Sequence, residues 1–227
     1  MKTPCSPVHI AIIGFAATLL HHPGRAFGKP VSYVGGLMLM QENDAGGHMV
    51  GLDYTLTPRM AAAFHAQYHI RGDNFTMMGP QLNFLVKRWN APRSQGNIFS
   101  HAGGGTTIDR NGDMRPAAWT GFLADYETRR LFISYEMQAM YAPKVERAIW
   151  QRARAGVAFS PVDYTKVSPW AMVQVDYRDE THLGLHVGAK EPKVEVTPLI
   201  RVMYRAFLIE GGVSHHGKVM FNWVKQF

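Results

Sequence analysis

The sequence predicts an all-β protein, a transmembrane antiparallel up-and-down β-barrel of about twelve strands. Three observations support this fold class. Segments of about ten residues alternate apolar and polar side chains, short and long connections alternate between them, and aromatic residues gather near the segment ends. A strand with one face in lipid and the other in a polar lumen must alternate in this way, because successive side chains point to opposite faces.

The first 28 residues are typical of an export signal. Lys2 supplies a positive start, and residues 10–20 form an apolar run that is shorter than the roughly 18 residues a spanning helix needs. Small residues at Gly24, Ala26 and Gly28 suggest cleavage near 26–28. We therefore expect a signal peptide at 1–28 and a barrel at 29–227. The alternative for residues 10–20 is a buried strand or helix of a cytosolic domain.

The only cysteine, Cys5, precedes the apolar run and would be removed with the signal. A mature chain without cysteine suits the oxidising periplasm, where a single thiol can mispair.

The chain is basic, with a net charge of +7 and a pI near 9.6. Its lysines and arginines are spread along the sequence in groups no longer than a tripeptide. A nucleic-acid interface would concentrate them, so we expect no nucleic-acid partner. Hydrophobic residues make up 46% of the chain, yet the mean hydropathy is −0.15, which favours interleaved residues over membrane helices.

Residues 60–71 alternate most clearly. Phe64 and Tyr68 fall on an apolar face, while His65, His69 and Arg71 fall on the opposite polar face. The same pattern predicts strands near 33–41, 48–57, 60–71, 79–89, 96–106, 116–127, 130–141, 147–159, 167–178, 193–204, 206–214 and 218–227. Residues 181–189 are assigned to a loop, because single-chain bacterial barrels favour an even number of strands. Ten or fourteen strands remain alternatives.

Connections after the even strands are mostly tight, as at 57–59, 128–129 and 205. Those after the odd strands are longer and more polar, at 41–47, 72–79, 107–116 and from 178 onward. Short periplasmic turns and longer extracellular loops are typical of outer-membrane barrels, so both chain ends are predicted to be periplasmic.

The last ten residues, KVMFNWVKQF, place Val219, Phe221, Trp223 and Phe227 on one face and end on phenylalanine. This resembles the C-terminal β-signal of Gram-negative outer-membrane proteins. The resemblance implies an outer-membrane location, with membrane lipids and the barrel-assembly machinery as partners. Lys225 departs from the apolar pattern, although a lysine near the rim can extend its ammonium group toward water.

A narrower resemblance rests on the segments at 82–99, 115–136 and 196–227. They are similar to an uncharacterised family of small Gram-negative outer-membrane barrels, whose genes the resemblance associates with copper or heavy-metal efflux genes. The family implies a fold and a location, and it brings no activity and no catalytic residues.

Polar residues on the predicted inner faces are candidates for the lumen or pore. They are Asp53, His65, His69, Arg71, Lys87, Glu136, Arg152, Arg154, Asp176, Glu195, Arg201 and Glu210. Because they carry both charges, they predict either a charge-compensated network that supports the barrel or a narrow channel for small solutes. The sequence leaves both interpretations open.

A metal-related role is the first alternative, since thirteen methionines and eleven histidines are side chains that suit copper. The candidates are Met38, Met40, Met77, Met78, His215 and His216. Residues two apart on a strand are separated by about 6.5 Å, so ligands on strands would have to converge from several of them. The pairs Met77–Met78 and His215–His216 are predicted to lie in loops.

An enzyme acting on lipid or peptide is the second alternative. Ser100 and Ser214 each have a histidine next to them, and Ser134 is a third candidate, but no phospholipase or protease motif surrounds any of them. The run at 103–105 reads as a close-packed strand, because no Lys-Ser/Thr follows it as in a phosphate-binding loop. We therefore expect neither an enzyme nor a cofactor.

Overall fold

A computed structural model describes residues 29–70, 74–163, 165–182 and 193–227. The predicted signal peptide at 1–28 lies outside these residues. The strands are β1 (Leu37–Asp44), β2 (Gly47–Thr57), β3 (Met60–His69), β4 (Phe75–Ala91), β5 (Ser94–Asp109), β6 (Met114–Thr128), β7 (Leu131–Ala142), β8 (Glu146–Ala158), β9 (Ser168–His182), β10 (Val194–Tyr204), β11 (Phe207–Val213) and β12 (Val219–Gln226). No helix within the described ranges is long and apolar enough to cross a membrane.

Each strand pairs antiparallel with its neighbours along the chain, and β1 pairs with β12 to close the ring. The closing register runs from Met38 opposite Gln226 to Asn43 opposite Phe221. The backbone of Phe227 extends it, because its N–H donates to the carbonyl oxygen of Leu37 at 2.8 Å. The predicted antiparallel up-and-down barrel of twelve strands is confirmed.

The two faces of the barrel differ as the alternation predicts. On β2, Asp53 and Thr55 are buried in the interior, whereas Leu52, Tyr54 and Leu56 are exposed on the outside. Other exposed apolar side chains follow the same rule around the ring, among them Val50, Phe64, Tyr68, Leu82, Phe84, Tyr126, Ile133, Tyr135, Tyr141, Ile149, Val173, Val175, Ile200, Tyr204, Val213 and Phe221. An outer surface this apolar suits hydrocarbon, so the architecture is that of a transmembrane barrel.

Strand β1 is shifted toward higher residue numbers than predicted. It begins at Leu37 and not at residue 33, because the preceding residues turn at Gly35, which has a φ of +83°. It extends as far as Asp44, and Glu42 and Asp44 occupy inward-facing positions of the strand. The predicted long loop at 41–47 is therefore wrong, and only residues 45–46 connect β1 to β2.

We call the end of the barrel that holds Leu37 and Gln226 the terminal mouth, and the opposite end the distal mouth. Two-residue connections at 58–59, 92–93, 129–130 and 205–206 lie at the terminal mouth. The described connections at the distal mouth are 45–46, 110–113, 143–145 and 214–218, and the strand ends at His69, Phe75, His182 and Val194 lie there too. The main exception to the predicted asymmetry is the nine-residue connection at 159–167, whose Val162 is buried against Trp170 and Met203 inside the terminal mouth.

A charge on the outer face tests whether this face meets lipid. Leu52→Arg, in the middle of β2, is expected to lower the free energy of unfolding by about 2–4 kcal/mol, because the charge would lie near the bilayer midplane. Val213→Arg, at the distal end of β11, is expected to lower it by at most about 1 kcal/mol. The measurement is urea unfolding of the barrel refolded in lipid vesicles. Equal losses for both variants would contradict a membrane-spanning outer surface.

Candidate functional site in the barrel lumen

The centre of the distal half is an ion-pair network around Arg152 on β8. Its Nε donates to Asp176 Oδ1 at 2.7 Å, its Nη1 to Glu42 Oε2 at 2.7 Å and its Nη2 to Asp44 Oδ2 at 2.6 Å. Asp176 lies on the adjacent strand β9, but Glu42 and Asp44 lie on β1, five strands away around the ring. Two of the three contacts therefore cross the lumen.

A second guanidinium reinforces this crossing. Arg178 Nη2 lies 3.0 Å from both carboxylate oxygens of Asp44. The guanidinium also sits 5.5 Å from the ring of Trp150, which in turn contacts the His69 ring at 4.9 Å between centroids. Gly46 permits this arrangement, because a Cβ there would overlap the Arg178 guanidinium. The distal half is thus bridged from β1 and β3 to β8 and β9.

Another buried network lies nearer the terminal mouth. Arg201 on β10 donates to Glu210 Oε1 through Nε at 2.7 Å and Nη2 at 2.6 Å. The other Glu210 oxygen, Oε2, accepts from Asn222 at 3.1 Å and lies 3.5 Å from Arg154 Nη1. Across the interior, the Arg201 guanidinium stacks over Phe132 at 4.4 Å. Glu210 on β11 is thus shared by two arginines that lie on other strands.

Residues 29–36 fold into the terminal mouth. Lys29 Nζ lies 2.9 Å from Asp125 and 3.4 Å from Glu127, two inward-facing carboxylates of β6. Val31 is fully buried, and its carbonyl oxygen accepts a hydrogen bond from Arg88 at 3.2 Å. The segment before β1 therefore fills the opening with one apolar side chain and one paired cation.

A chain of hydrogen bonds between side chains crosses the remaining side of the lumen. Asn83 donates to Asp53 at 2.5 Å, Gln81 donates to Asn83 at 2.7 Å, and Trp119 Nε1 donates to Gln81 at 2.7 Å. The indole fits because Gly103 has no side chain, and a Cβ there would lie 2.3 Å from the ring. The glycine run at 103–105 thus has a packing role, as the sequence suggested.

The network leaves a cavity of about 80 Å³ in the distal half. Its lining includes the carboxylates of Glu42, Asp44, Glu136 and Asp176 and the guanidiniums of Arg152 and Arg178. A buried water needs about 10–15 Å³ of such space, so this cavity has room for several waters.

Most of the predicted lumen residues face the interior. They are Asp53, His65, His69, Glu136, Arg152, Arg154, Asp176, Glu195, Arg201 and Glu210. Arg71 lies outside the described residues. The prediction for Lys87 is wrong, because a β-bulge between Leu85 and Lys87 shifts the alternation and turns Lys87 to the outer face. Its ammonium group lies over the outward ring of Trp89, and Arg88 faces the lumen in its place.

Sequence reasoning missed several lumen residues that carry the network. The predicted loop at 41–47 contains Glu42 and Asp44, although they continue the inward period of Met38 and Met40, which is the signal that identifies them. Arg178 lies at the boundary of a predicted loop, and Asp125 and Glu127 continue the period of Trp119 on β6. For Lys29 no periodic signal exists, since it precedes the first strand.

The methionine candidates do not form a common site. Met38 and Met77 are fully buried in the lumen, Met77 in an apolar cluster with Trp119. Met40 also faces inward, where its side chain and that of His65 both lie 3.1 Å from the position of a Cβ on Gly51. Met77 and Met78 belong to β4 and not to a loop. By contrast, His215 and His216 lie in the predicted connection, between β11 and β12.

The serine candidates lack the arrangement of a catalytic triad. Ser100 and His101 are neighbours on β5 and point to opposite faces. Ser134 is buried in the lumen, and the Ser214 hydroxyl accepts a hydrogen bond from the backbone N–H of Lys218 at 3.1 Å. These positions offer no serine poised beside a histidine base.

The residues of the β-signal resemblance lie on the outer face of β12. Val219, Phe221 and Phe227 are exposed, and Trp223 is half-buried. Trp223 Nε1 donates to Gln41 on β1 at 2.9 Å, so this side chain also fastens the seam where the barrel closes.

No protein-family model and no curated protein matches the chain. Two solved structures are similar in fold. LpxR from Salmonella typhimurium has a TM-score of 0.46 and 8% identity over 85% of this chain and 99% of its own. The KdgM porin, solved in complex with disordered oligogalacturonate, has a TM-score of 0.47 and 8% identity over 85% of this chain and 98% of its own. At these values neither likeness bears on what the chain does.

Removing the Arg152 guanidinium should leave the carboxylates of Glu42, Asp44 and Asp176 without the cation that they share. Arg152→Met is expected to lower the free energy of unfolding at pH 7 by about 3–5 kcal/mol, because it leaves buried carboxylates without their cation. Arg152→Lys keeps the charge and loses the forked geometry, so its loss should be smaller. Urea unfolding in vesicles measures both. A loss below about 1 kcal/mol for Arg152→Met would contradict a tightly coupled network.

Proposed function

We propose that the chain is a Gram-negative outer-membrane barrel whose lumen is closed to solutes at rest. It works as a rigid structural barrel that presents its distal loops at the cell surface. The sequence left two interpretations of the lumen open, a charge-compensated network and a narrow channel. The proposal adopts the charge-compensated network. The proposal includes no catalytic step and no cofactor.

The observation that carries the proposal is the three-carboxylate contact of Arg152. Its bonds to Glu42 and Asp44 join β8 to β1 across the interior, so a solute that needs this space could pass only by breaking them. Such a break would leave buried charges unpaired, which is costly in a narrow interior. The path is therefore closed by electrostatics as well as by packing.

A second seal supports the same conclusion at the other end. Val31 and the Lys29 ion pair occupy the terminal mouth, and Val162 fills it from the β8–β9 connection. A diffusion channel needs both ends open along one continuous path. Here a solute meets two independent barriers.

The membrane assignment is supported by the outer surface and by the C-terminal strand. Most of the large outward side chains are apolar, and the last strand carries the pattern that resembles the β-signal. The export signal predicted at 1–28 agrees with the same destination.

Conductance across a planar bilayer tests the closed lumen directly. The refolded protein, residues 29–227, is expected to give no discrete conductance steps. Arg152→Ser with Arg178→Ser removes the distal seal, and deletion of residues 29–36 combined with Val162→Gly removes the terminal seal. Either change alone leaves the other barrier in place. Only the combination should give steps, and these should favour cations, because Glu42, Asp44, Glu136 and Asp176 would then face the gap.

Lys87→Ser with Arg147→Ser is the matched control, since it makes the same change of charge with two exposed residues outside the lumen. Combined with the same deletion and Val162→Gly, it should stay silent. Regular steps from the unaltered protein would overturn the proposal and restore the open channel.

A substitution of the C-terminal phenylalanine tests assembly in the membrane separately from the stability of the folded barrel. Phe227→Ala removes the exposed ring but keeps the backbone bonds between residue 227 and Leu37. We expect a several-fold drop in the amount of folded barrel in outer-membrane fractions, measured by heat-modifiable mobility on gels. The free energy of unfolding of the refolded variant should change by less than about 1 kcal/mol. Normal amounts in the membrane would remove the support that the β-signal resemblance gives.

A further inference from the structure

A cluster of three ionisable side chains at the distal mouth takes no part in the networks described above. Glu195, near the start of β10, lies beside His215 and His216 in the connection between β11 and β12. One ring nitrogen from each histidine and one oxygen of Glu195 all lie within 4.8 Å of one another. The closest of these contacts joins His216 Nδ1 to Glu195 Oε2 at 3.2 Å.

The backbone holds the two histidines over Glu195. The connection turns at Gly217, which has a φ of +78°, and the N–H of Gly217 donates to the carbonyl oxygen of Ser214 at 2.9 Å. The N–H of His215 donates to the Val196 carbonyl oxygen on β10 at 2.9 Å. The histidines are thus tied to the strand that carries the carboxylate, so the cluster is built by the fold.

One oxygen of the carboxylate lacks a partner that its burial calls for. Glu195 is only 3% exposed, and its Oε1 has no hydrogen-bond partner within the described ranges. A buried charged oxygen without a partner is costly. Lys193 lines the same end of the lumen, but its ammonium group pairs with Asp179 at 2.6 Å. A cation bound between Glu195 and the histidines would compensate the carboxylate.

The two imidazoles lie close enough together to share one ion. Their rings are 3.7 Å apart between centroids. The Val196 N–H donates to His215 Nδ1 at 3.0 Å, and the Val196 carbonyl oxygen lies 3.3 Å from the same nitrogen, so β10 fixes the orientation of this ring.

We propose that Glu195, His215 and His216 bind one divalent transition-metal ion of the zinc or copper class at the distal mouth. Imidazole suits zinc, copper and nickel, whereas calcium and magnesium prefer sets of oxygen ligands. Three protein ligands leave at least one position for water in a tetrahedral site. Both histidines are exposed, so an ion reaches the site from outside the barrel without passing the Arg152 network.

Isothermal titration of the refolded chain with Zn²⁺ or Cu²⁺, without a histidine tag, tests the site. The unaltered protein should bind one ion, and Ca²⁺ should not displace it. His215→Ala, His216→Ala and Glu195→Gln should each weaken binding roughly tenfold or more. His48→Ala is the matched control, because His48 is also exposed near the distal mouth but hydrogen-bonds Asn43. It should leave binding unchanged.

A spectroscopic measurement distinguishes a lost ligand from a misfolded variant. The electron paramagnetic resonance spectrum of bound Cu²⁺ should show two coupled nitrogens in the unaltered protein and one in His216→Ala. Heat-modifiable mobility on gels checks that each variant still folds. No binding by the folded, unaltered protein, or binding that none of the three substitutions weakens, would overturn the proposal. Either result leaves the closed lumen untouched, because that proposal is tested by conductance.

Discussion

Hydrocarbon offers no hydrogen bonds to an unpaired strand edge, so every strand of this barrel must have a partner on both sides. The seam between β1 and β12 meets this requirement with six register pairs, the backbone bond from Phe227 to Leu37 and the side-chain bond from Trp223 to Gln41. The Tyr33 hydroxyl adds a bond to the Phe227 carbonyl oxygen. Once twelve strands are closed in this way, the ring is narrow enough for inward side chains of opposite strands to meet. The contents of the lumen follow from that geometry.

Charged side chains that meet in such an interior must be matched, because removing them from water is costly unless each has a partner. Arg152 with its three carboxylates and Arg201 with Glu210 satisfy this condition on different levels of the barrel. Buried ion pairs are weak evidence for stability when compared with apolar packing. Here they also fix the register, because slipping one strand by a single residue would turn its charges toward lipid. The network therefore specifies which face of each strand is the inner one.

The sequence predicted the fold closely, since alternation is a local property that each strand displays by itself. It could not predict where the alternation changes phase. The bulge between Leu85 and Lys87 exchanges the faces of Lys87 and Arg88, and nothing in that stretch of apolar and basic residues marks the extra residue. The sequence also could not predict which side chains form ion pairs, because Arg152 meets Glu42 and Asp44 only after the ring closes. Lys29 and Val31 lie before the first strand, where no period indicates that they enter the mouth.

Both mouths of the barrel contain buried carboxylates, and the two mouths differ in what compensates them. At the terminal mouth the acidic residues Asp125 and Glu127 are compensated by Lys29, a cation that the chain itself inserts. At the distal mouth Glu195 has an imidazole on one oxygen, and its other oxygen is without a partner in the described structure. A divalent ion held by the two imidazoles would compensate this carboxylate, so burial of Glu195 and metal binding by His215 and His216 are consistent with one another.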